Sequence, residues 1–151
     1  MTKILFICHG NICRSAMAES MCRQLLAEAG REDVVVDSAA TSREEIGNPM
    51  YPPAQAKLTE KGVAIGDHRA RQLEAADYDR YDWLIGMDEA NMRNIRRICG
   101  GDPAGKVHLL LALADEPRPI ADPWYTDDFE TTYRDLARGL AALLAQIPAE
   151  G

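Results

Sequence analysis

The chain begins with a short, strongly apolar segment that is followed by a polar loop and a helical pattern. Residues 4–8 form a continuous apolar run that stops at Gly10, and such a run is typical of a strand buried on both faces of a parallel sheet. Residues 16–29 are rich in Ala, Met, Glu and Leu, with apolar residues at every fourth position, which predicts an amphipathic helix. Ser15 is the expected N-cap of this helix, and Gly30 is expected to end it.

The rest of the chain repeats this alternation of strand and helix patterns. Apolar runs predict three further strands, at residues 34–36, 82–87 and 107–111. Helices are expected at residues 54–61, 89–98 and 129–147, and proline-containing loops at residues 41–53 and 112–126. This order predicts an α/β fold, a single doubly wound domain over residues 1–151 with a four-stranded parallel sheet flanked by helices. Ligands of such folds bind beyond the carboxyl ends of the strands, so a site is expected where the first strand ends, at Cys8.

Composition and charge narrow the class of protein and its partners. A formal net charge of −7 makes nucleic acid and anionic membranes poor partners, because an acidic surface repels phosphate groups. We expect neither a leader peptide nor a membrane span, since no apolar run approaches the roughly 20 residues that cross a bilayer. The expectation is a cytoplasmic protein, monomeric or weakly self-associating, whose four cysteines are reactive or buried rather than bridged.

The loop after the first strand carries the main chemical signal, the octet Cys8-His9-Gly10-Asn11-Ile12-Cys13-Arg14-Ser15. The start of a helix offers free N–H groups and the positive end of the helix dipole, which attract an anion. Gly10 and Asn11 tolerate left-handed backbone angles, so the loop can curl its N–H groups inward. Arg14 supplies a fork of donors that fits two oxygens of one phosphate. We therefore expect residues 9–14 to bind phosphate or a similar oxyanion.

Cys8 lies at the base of this expected ring of donors. The N–H groups, the helix dipole and Arg14 all favour negative charge there and should populate the thiolate form of Cys8. A thiolate beneath a bound phosphate is placed for in-line attack, giving a phosphocysteine that water then hydrolyses. A buried cysteine and a helix-capping arginine would explain each residue alone, but not the whole pattern.

This octet resembles the signature of the low-molecular-weight protein tyrosine phosphatases, with Cys8 and Arg14 as its C-x5-R motif. The resemblance extends over nearly the whole chain, through segments 36–42, 46–49, 68–73, 86–92 and 122–125. It implies an enzyme that acts on phosphotyrosine in proteins and needs neither a metal nor another cofactor. Ile12 agrees with this interpretation, since a related branch of arginine phosphatases carries Thr at this position.

An Asp-Pro-Trp-Tyr segment near the C-terminus resembles the acid loop of that family. Protonation of the leaving phenolate by a general acid speeds such a step by roughly 10²–10⁴-fold, and Asp122 is the candidate acid. The proline that follows restricts Asp122 to extended backbone angles, which helps to fix the carboxyl group. Trp124 and Tyr125 are candidates for an aromatic wall beside the phenyl ring. Asp127 and Asp128 are expected instead to cap the last helix.

The resemblance also implies residues that support the loop from behind. Four positions match family residues that are hydrogen-bonded to one another, namely Asn11, Ser15, Ser38 and His68. Asp88 matches a position that supports the site through Arg14, although it also fits a helix N-cap. Cys13 matches a cysteine that can form a reversible disulfide with Cys8, which would prevent irreversible over-oxidation. The alternative for Cys13 is a small apolar filler.

Three features depart from the family pattern. His9 occupies a variable position of the loop, and Glu44 stands where many members place an aromatic residue on the pocket wall. The segment Tyr51-Pro52-Pro53 replaces the Asp and Arg that are common after Asn-Pro. Because like charges repel, Glu44 is expected to weaken the binding of acidic phosphopeptides.

Three other functions compete with this interpretation. An arsenate reductase would share the fold and the loop, but it relays a disulfide through further cysteines, and Cys99 is the only late cysteine. A metal site formed by Cys8, His9 and Cys13 lacks the second ligand pair typical of zinc. A phosphotyrosine-binding protein without activity would not need the candidate catalytic groups. Phosphotyrosine hydrolysis is the principal expectation, with arsenate reductase as the alternative.

Overall fold

A parallel sheet forms the centre of the molecule, whose computed structural model describes residues 1–148. The four strands lie in the order β2-β1-β3-β4, where the strands are β1 (Thr2–Cys8), β2 (Val34–Ala40), β3 (Trp83–Gly86) and β4 (Val107–Leu109). All three neighbouring pairs are parallel. The predicted doubly wound α/β fold with a four-stranded parallel sheet is confirmed.

Helices cover both faces of this sheet. They are α1 (Arg14–Glu28), α2 (Pro52–Glu60), α3 (Asp77–Arg80), α4 (Glu89–Cys99), α5 (Pro123–Thr126) and α6 (Phe129–Gln146), with a 3₁₀ helix at Leu110–Ala114. The side chains of β1 alternate between two buried clusters. Ile4 and Phe6 pack with α1 and α6, whereas Leu5 and Ile7 pack with α4. The apolar run of β1 therefore serves both halves of the core, as its pattern predicts.

The strand order places the end of β1 at a crevice. β1 has β2 on one side and β3 on the other, so the chain leaves this strand in one direction and later returns on its other side. Ligands of open parallel sheets bind at the carboxyl edge where the order reverses in this way. The loop after β1 opens there, and Glu44 and Asp122 approach it from later parts of the chain. Within residues 1–148, no helix combines the length and apolar character needed to cross a membrane.

The first helix differs from its expected form. α1 begins at Arg14, and its N-cap, Cys13, makes no side-chain capping hydrogen bond. The expectation that Ser15 caps this helix was wrong, because its hydroxyl instead faces the sulfur of Cys8, 3.0 Å away. The amphipathic pattern also fails in the first half of the helix. Residues 14–22 are all buried, since this part of α1 packs against the sheet, α2 and α6.

Later boundaries shift where the chain pairs or coils locally. β2 extends to Ala40 rather than residue 36, because it pairs with β1 over its full length. The fourth strand ends at Leu109, where the 3₁₀ helix takes over. The loop expected over residues 112–126 contains the end of that helix and all of α5. These short helices, and α3, are too brief to show a helical period in the sequence.

The packing of α6 against the 3₁₀ helix requires a residue without a side chain at position 139. A Cβ atom on Gly139 would overlap Cγ of Leu110, a fully buried side chain. Gly139→Ala should therefore destabilise the protein by about 1–3 kcal/mol, although alanine favours helices. Urea unfolding followed by circular dichroism measures the free energy of unfolding.

The control is the same substitution in a chain that carries Leu110→Ala. Shortening Leu110 removes the atoms that a new Cβ would meet, so Gly139→Ala should cost less in this background. Strictly additive losses in the double variant would contradict the contact.

Candidate active site

The loop between β1 and α1 wraps around the sulfur of Cys8. The backbone N–H groups of Asn11 and Ser15 point at Cys8 Sγ, with N···S distances of 3.3 and 3.5 Å. The Ser15 hydroxyl lies 3.0 Å from the same sulfur. Donors that converge on a sulfur atom stabilise a sulfur anion relative to the thiol.

Asn11 gives the loop its curvature. It adopts left-handed backbone angles, with φ of 62°, as its residue type predicts. The same expectation was wrong for Gly10, whose φ lies outside the left-handed region. A left-handed residue other than glycine costs roughly 1–2 kcal/mol, so the conformation of Asn11 needs support from its surroundings.

A chain of hydrogen bonds behind the loop provides this support. Asn11 Nδ2 donates to Ser15 Oγ at 2.7 Å, and Asn11 Oδ1 lies 2.7 Å from His68 Nε2. Because an amide oxygen can only accept, His68 Nε2 is the donor. Ser38 Oγ lies 3.2 Å from the same ring nitrogen. The four residues that the family resemblance groups together are thus joined side chain to side chain.

A buried carboxylate ends this chain of hydrogen bonds. Glu19 is 2% exposed, accepts from Ser38 Oγ at 2.7 Å and pairs with Arg23 at 2.9 Å. His68 Nδ1 lies 3.4 Å from the same carboxylate. Glu19 was not predicted from the sequence, because a glutamate in a helix usually faces solvent. The available signal is its place one turn after Ser15, on the side of α1 that faces the network.

Glu19 belongs to the one group of side chains in the described part of the chain that resembles a metal site. The ligand atoms of Glu19, Asp37 and His68 lie within 4.8 Å of one another. Their polar atoms already have protein partners, since Asp37 pairs with Arg71 at 3.5 Å and Glu19 with Arg23. We therefore interpret the group as part of the support behind the loop.

Arg14 lies beneath the loop and is almost fully buried, at 2% exposure. Its Nη1 donates to Asp88 Oδ2 at 2.7 Å and to the Ile120 carbonyl at 2.9 Å, while Nη2 lies 3.5 Å from Asp122 Oδ2. Burial lowers the pKa of Arg14, but the neighbouring Cys8 and the two carboxylates together raise it by more than burial lowers it. The pKa of Arg14 therefore lies above the ordinary range. Within the described residues, Arg14 Nε has no hydrogen-bond partner. A buried, charged N–H group that lacks a protein partner can donate a hydrogen bond to an oxyanion bound beside it.

Asp88 fulfils both roles that the sequence left open. Its Oδ1 accepts from the Asn91 N–H at 2.7 Å and so caps α4. Its Oδ2 holds the guanidinium of Arg14. The residue before it, Met87, accepts from the Ile120 N–H at 2.9 Å, which fastens the chain ahead of α5 to the same place.

Asp122 faces the cavity from the N-terminus of α5. Its Oδ1 accepts from the Trp124 N–H at 3.1 Å, which caps the short helix and orients the carboxyl group. Of the two neighbouring acids, Asp128 caps α6 by accepting from the Thr131 N–H at 3.0 Å. The capping expectation was wrong for Asp127, which ends α5 in a left-handed conformation with φ of 59°.

A cavity of about 100 Å³ opens above the sulfur of Cys8. It is lined by Cys8, His9, Gly10, Ile12, Cys13, Glu44, Glu45, Asp122, Trp124 and Tyr125. Trp124 and Tyr125 stand at its edge, 50% and 80% exposed. Of the expected phosphate-binding residues, Asn11 and Arg14 are buried behind this lining, at 1% and 2% exposure.

Tyr51 supports Trp124 from behind. The two ring centroids are 4.7 Å apart, and Tyr51 also lies 6.2 Å from the ring of Phe129. The Tyr51 N–H donates to the Ile12 carbonyl at 2.9 Å, which ties the start of α2 to the loop. In the sequence, Tyr51 is distinguished only as a departure from the family pattern, because a contact between distant segments leaves no local pattern.

Comparison with known proteins agrees with this geometry. The family model for low molecular weight phosphotyrosine protein phosphatases matches residues 3–151. The chain belongs to this family. The resemblance noted in the sequence is thereby confirmed, and with it the enzyme class, the protein-tyrosine phosphatases among the phosphoric monoester hydrolases.

Individual relatives of this phosphatase cover it almost completely. The low molecular weight protein-tyrosine-phosphatase YfkJ of Bacillus subtilis is 35% identical over 99% of this chain and 98% of its own length. The Homo sapiens low molecular weight phosphotyrosine protein phosphatase is 37% identical over 93% of this chain and 92% of its own length. The crystal structure of YfkJ matches with a TM-score of 0.93, covering 97% of this chain and 94% of the other.

Cys13 shares the loop of this phosphatase with Cys8 but has a different environment. Burial raises the pKa of Cys13 to about 12, with smaller contributions from Cys8 and Asp122 that outweigh the opposing effect of Arg14. Burial likewise raises the pKa of Cys22 to about 12. All four cysteines are free. At neutral pH, Cys13 and Cys22 therefore remain thiols.

Alkylation of this phosphatase should be selective for Cys8. At about pH 7, a pKa near 12 leaves roughly one thiolate in 10⁵, so iodoacetate should modify Cys8 long before Cys13 or Cys22. Peptide mapping by mass spectrometry measures the rate at each cysteine, and inorganic phosphate should protect Cys8. Modification of Cys13 as fast as Cys8 would show that the two environments do not differ as described.

Proposed function

We propose that this chain removes phosphate from phosphotyrosine in proteins through a phosphocysteine formed on Cys8. The observation that carries the proposal is the convergence of two N–H groups and a hydroxyl on one sulfur atom. A buried arginine whose Nε has no partner within the described residues lies beneath the same loop. Membership of the phosphatase family supports the same conclusion.

The first step is attack by the Cys8 thiolate on phosphorus. Backbone N–H groups of residues 9–14 and the fork of Arg14 bind the phosphoryl oxygens and stabilise the charge that grows on them in the transition state. The bond between sulfur and phosphorus forms while the bond between phosphorus and the tyrosine oxygen breaks, on the opposite side. Phosphate and similar oxyanions bind at the same place as products or inhibitors.

Asp122 acts as general acid and then as general base. It gives its proton to the departing tyrosine oxygen, which would otherwise leave as phenolate. In the second step, the carboxylate takes a proton from a water molecule that attacks phosphorus, and the bond to sulfur breaks. The Ser15 hydroxyl, 3.0 Å from Cys8 Sγ, donates to the sulfur as it leaves. Free phosphate is the product, and the thiolate is restored.

The cavity walls select an aryl substrate. Trp124 and Tyr125 form the aromatic wall for the phenyl ring, and Glu44 lies on the same rim. Cys8 is 3% exposed at the bottom, and the short side chain of phosphoserine would not bring its phosphorus there. Supporting roles fall to Asp88, which aims the guanidinium, and to the network of Asn11, Ser15, Ser38 and His68 behind the loop.

Cys13 is proposed as the redox partner of Cys8. When hydrogen peroxide converts Cys8 to a sulfenic acid, the Cys13 thiol condenses with it, forming a disulfide and releasing water. Both residues line the same cavity. The enzyme needs no metal or organic cofactor for this chemistry, and we place its activity in the cytoplasm, as a monomer or a weakly self-associating protein.

Replacement of the nucleophile gives the first test. Cys8→Ser should abolish turnover of a phosphotyrosine peptide while inorganic phosphate still binds, because the N–H groups and Arg14 remain. Turnover is measured as phosphate release, and binding by calorimetry. Arg14→Lys keeps a positive charge but loses the fork of donors, so it should weaken both turnover and phosphate binding. Hydrolysis by Cys8→Ser at the wild-type rate would exclude Cys8 as nucleophile.

The same assay separates the proposal from its alternatives. Phosphotyrosine, phosphoarginine and thiol-coupled arsenate reduction are measured side by side, with and without EDTA. Phosphotyrosine hydrolysis should dominate and EDTA should have no effect. Arsenate reduction without phosphotyrosine hydrolysis would favour the redox enzyme.

The role of Asp122 is tested through the leaving group. Asp122→Asn keeps a cap for α5 but cannot donate a carboxyl proton, so turnover of phenyl phosphate should fall by about 10²–10⁴-fold. Turnover of 2,4-dinitrophenyl phosphate, whose leaving group needs no proton, should fall far less. Asp128→Asn, at the cap of α6, is the matched control. Equal losses on both substrates would remove Asp122 from the acid role.

A further inference from the structure

The entrance of the active-site cavity is acidic. We call His9, Glu44, Glu45 and Tyr125 the cavity mouth, since all four line the cavity at its outer edge. The Glu44 side chain is 68% exposed, so its charge faces an approaching substrate. Among the described residues that line the cavity, none is a lysine or an arginine. His9 is therefore the group at the mouth that can supply a positive charge.

Nearby polar groups leave this negative charge in place. The Asn48 side chain donates to Glu45 Oε2 at 2.6 Å, which fixes the carboxylate without neutralising it. Arg43 precedes Glu44 in the chain, but its Nε donates to Gln72 Oε1 at 2.9 Å, and its side chain lines a separate groove. The acidic character of the mouth is thus not cancelled by its neighbour in sequence.

The His9 side chain contacts the Glu44 carboxylate directly. His9 Nε2 lies 2.9 Å from Glu44 Oε2. The His9 carbonyl accepts from both the N–H and the hydroxyl of Ser42, at 3.1 and 2.9 Å, which holds the two segments together. A protonated His9 balances Glu44, and a neutral His9 leaves the carboxylate uncompensated. The other titratable groups that line the cavity around His9 are Cys8, Cys13, Glu45, Asp122 and Tyr125.

We propose that the cavity mouth makes this enzyme selective for phosphotyrosines that have lysine or arginine beside them, with the exposed Glu44 carboxylate as the group that attracts the flanking cation. The proposal rests on the phosphotyrosine phosphatase function proposed above. It names the side chain of Glu44, with its contact to the His9 ring, as a determinant of specificity that takes no part in the reaction.

The physical reason is that the phosphate group and the flanking residues of a peptide interact with different parts of the cavity. The bound phosphate group is matched by Arg14 and the loop N–H groups at the bottom of the cavity, so flanking residues of the peptide meet only the mouth. Charge pairs at exposed positions change affinity by about two- to fivefold per pair. They are screened over about 8 Å at physiological salt, so a flanking residue within a few ångströms of Glu44 is affected, whereas the remainder of the peptide is not.

Matched phosphotyrosine peptides test the proposal. The peptides differ only in the residues on both sides of phosphotyrosine, which are Lys, Gln or Glu. The kcat/KM ratio of the Lys peptide to the Glu peptide is measured for wild type, Glu44→Gln, His9→Gln and Glu32→Gln. Glu32 is an exposed acid just before β2, at the opposite end of the sheet, and serves as the matched control. p-Nitrophenyl phosphate, which has no flanking residues, reports the basal reaction of each variant.

Wild type should prefer the Lys peptide, and Glu44→Gln should reduce the ratio by about two- to fivefold. His9→Gln leaves the Glu44 carboxylate in place, so it should not lower the ratio. Glu32→Gln should leave it unchanged, and molar salt should bring the wild-type ratio towards one. An unchanged ratio in Glu44→Gln, with p-nitrophenyl phosphate and all peptides hydrolysed, overturns the proposal and leaves the phosphatase function intact. Failure of every phosphotyrosine substrate would count against the phosphatase function itself.

Discussion

The ion pair between Arg14 and Asp88 is the interaction on which the active site depends. A buried guanidinium without partners would be strongly destabilising, because the charge loses its hydration. Here Asp88 and a backbone carbonyl replace part of that hydration. Asp88 is itself fixed as the N-cap of α4, a helix that packs on the opposite face of the sheet from α1. The Arg14 guanidinium beneath the loop is therefore positioned by a residue outside the loop.

The second requirement is the left-handed conformation of Asn11. In this conformation the Asn11 N–H points at the sulfur, and side chains from α1, β2 and the segment before α3 form the hydrogen-bond chain that supports it. Glu19 completes the chain of hydrogen bonds as a buried acceptor. A buried polar network in which every member has a partner specifies one arrangement, whereas a partly satisfied network is costly. The geometry of the loop around Cys8 is thus supported by residues that do not line the cavity.

Much of the fold could be predicted from the sequence, because apolar runs and helical periods report directly on burial. The β1 pattern indicated a strand buried on both faces, and the parallel sheet followed from the order of elements. The limits of β2 and the helices α3 and α5 could not be found in this way. Their extent depends on pairing with neighbours and on single capping contacts, such as the carboxylate of Asp122 at α5.

The same division holds for the active site. Residues within one local motif, such as Cys8 and Arg14, carry their chemistry in their spacing. Glu19 and Tyr51 act through contacts with distant parts of the chain. Tyr51 has no local signal that separates it from an ordinary loop residue, and Glu19 has only its place one turn after Ser15. Gly10 and Ser15 show the opposite error, since their residue types suggested a left-handed turn and a helix cap. Gly10 instead has a φ outside the left-handed region, and the Ser15 hydroxyl faces the Cys8 sulfur.

The hydrogen bonds at Ile120 have a consequence for how substrates enter. Its carbonyl accepts from Arg14 and its N–H donates to Met87, so the chain just ahead of Asp122 is fastened to the floor of the cavity. The segment that leads into α5 is thus held through both backbone polar atoms of one residue, shortly before that helix begins. Under the proposed mechanism, a phosphorylated side chain would then enter a cavity in which Asp122, the proposed proton donor, follows a segment tied to the same guanidinium that binds the phosphate.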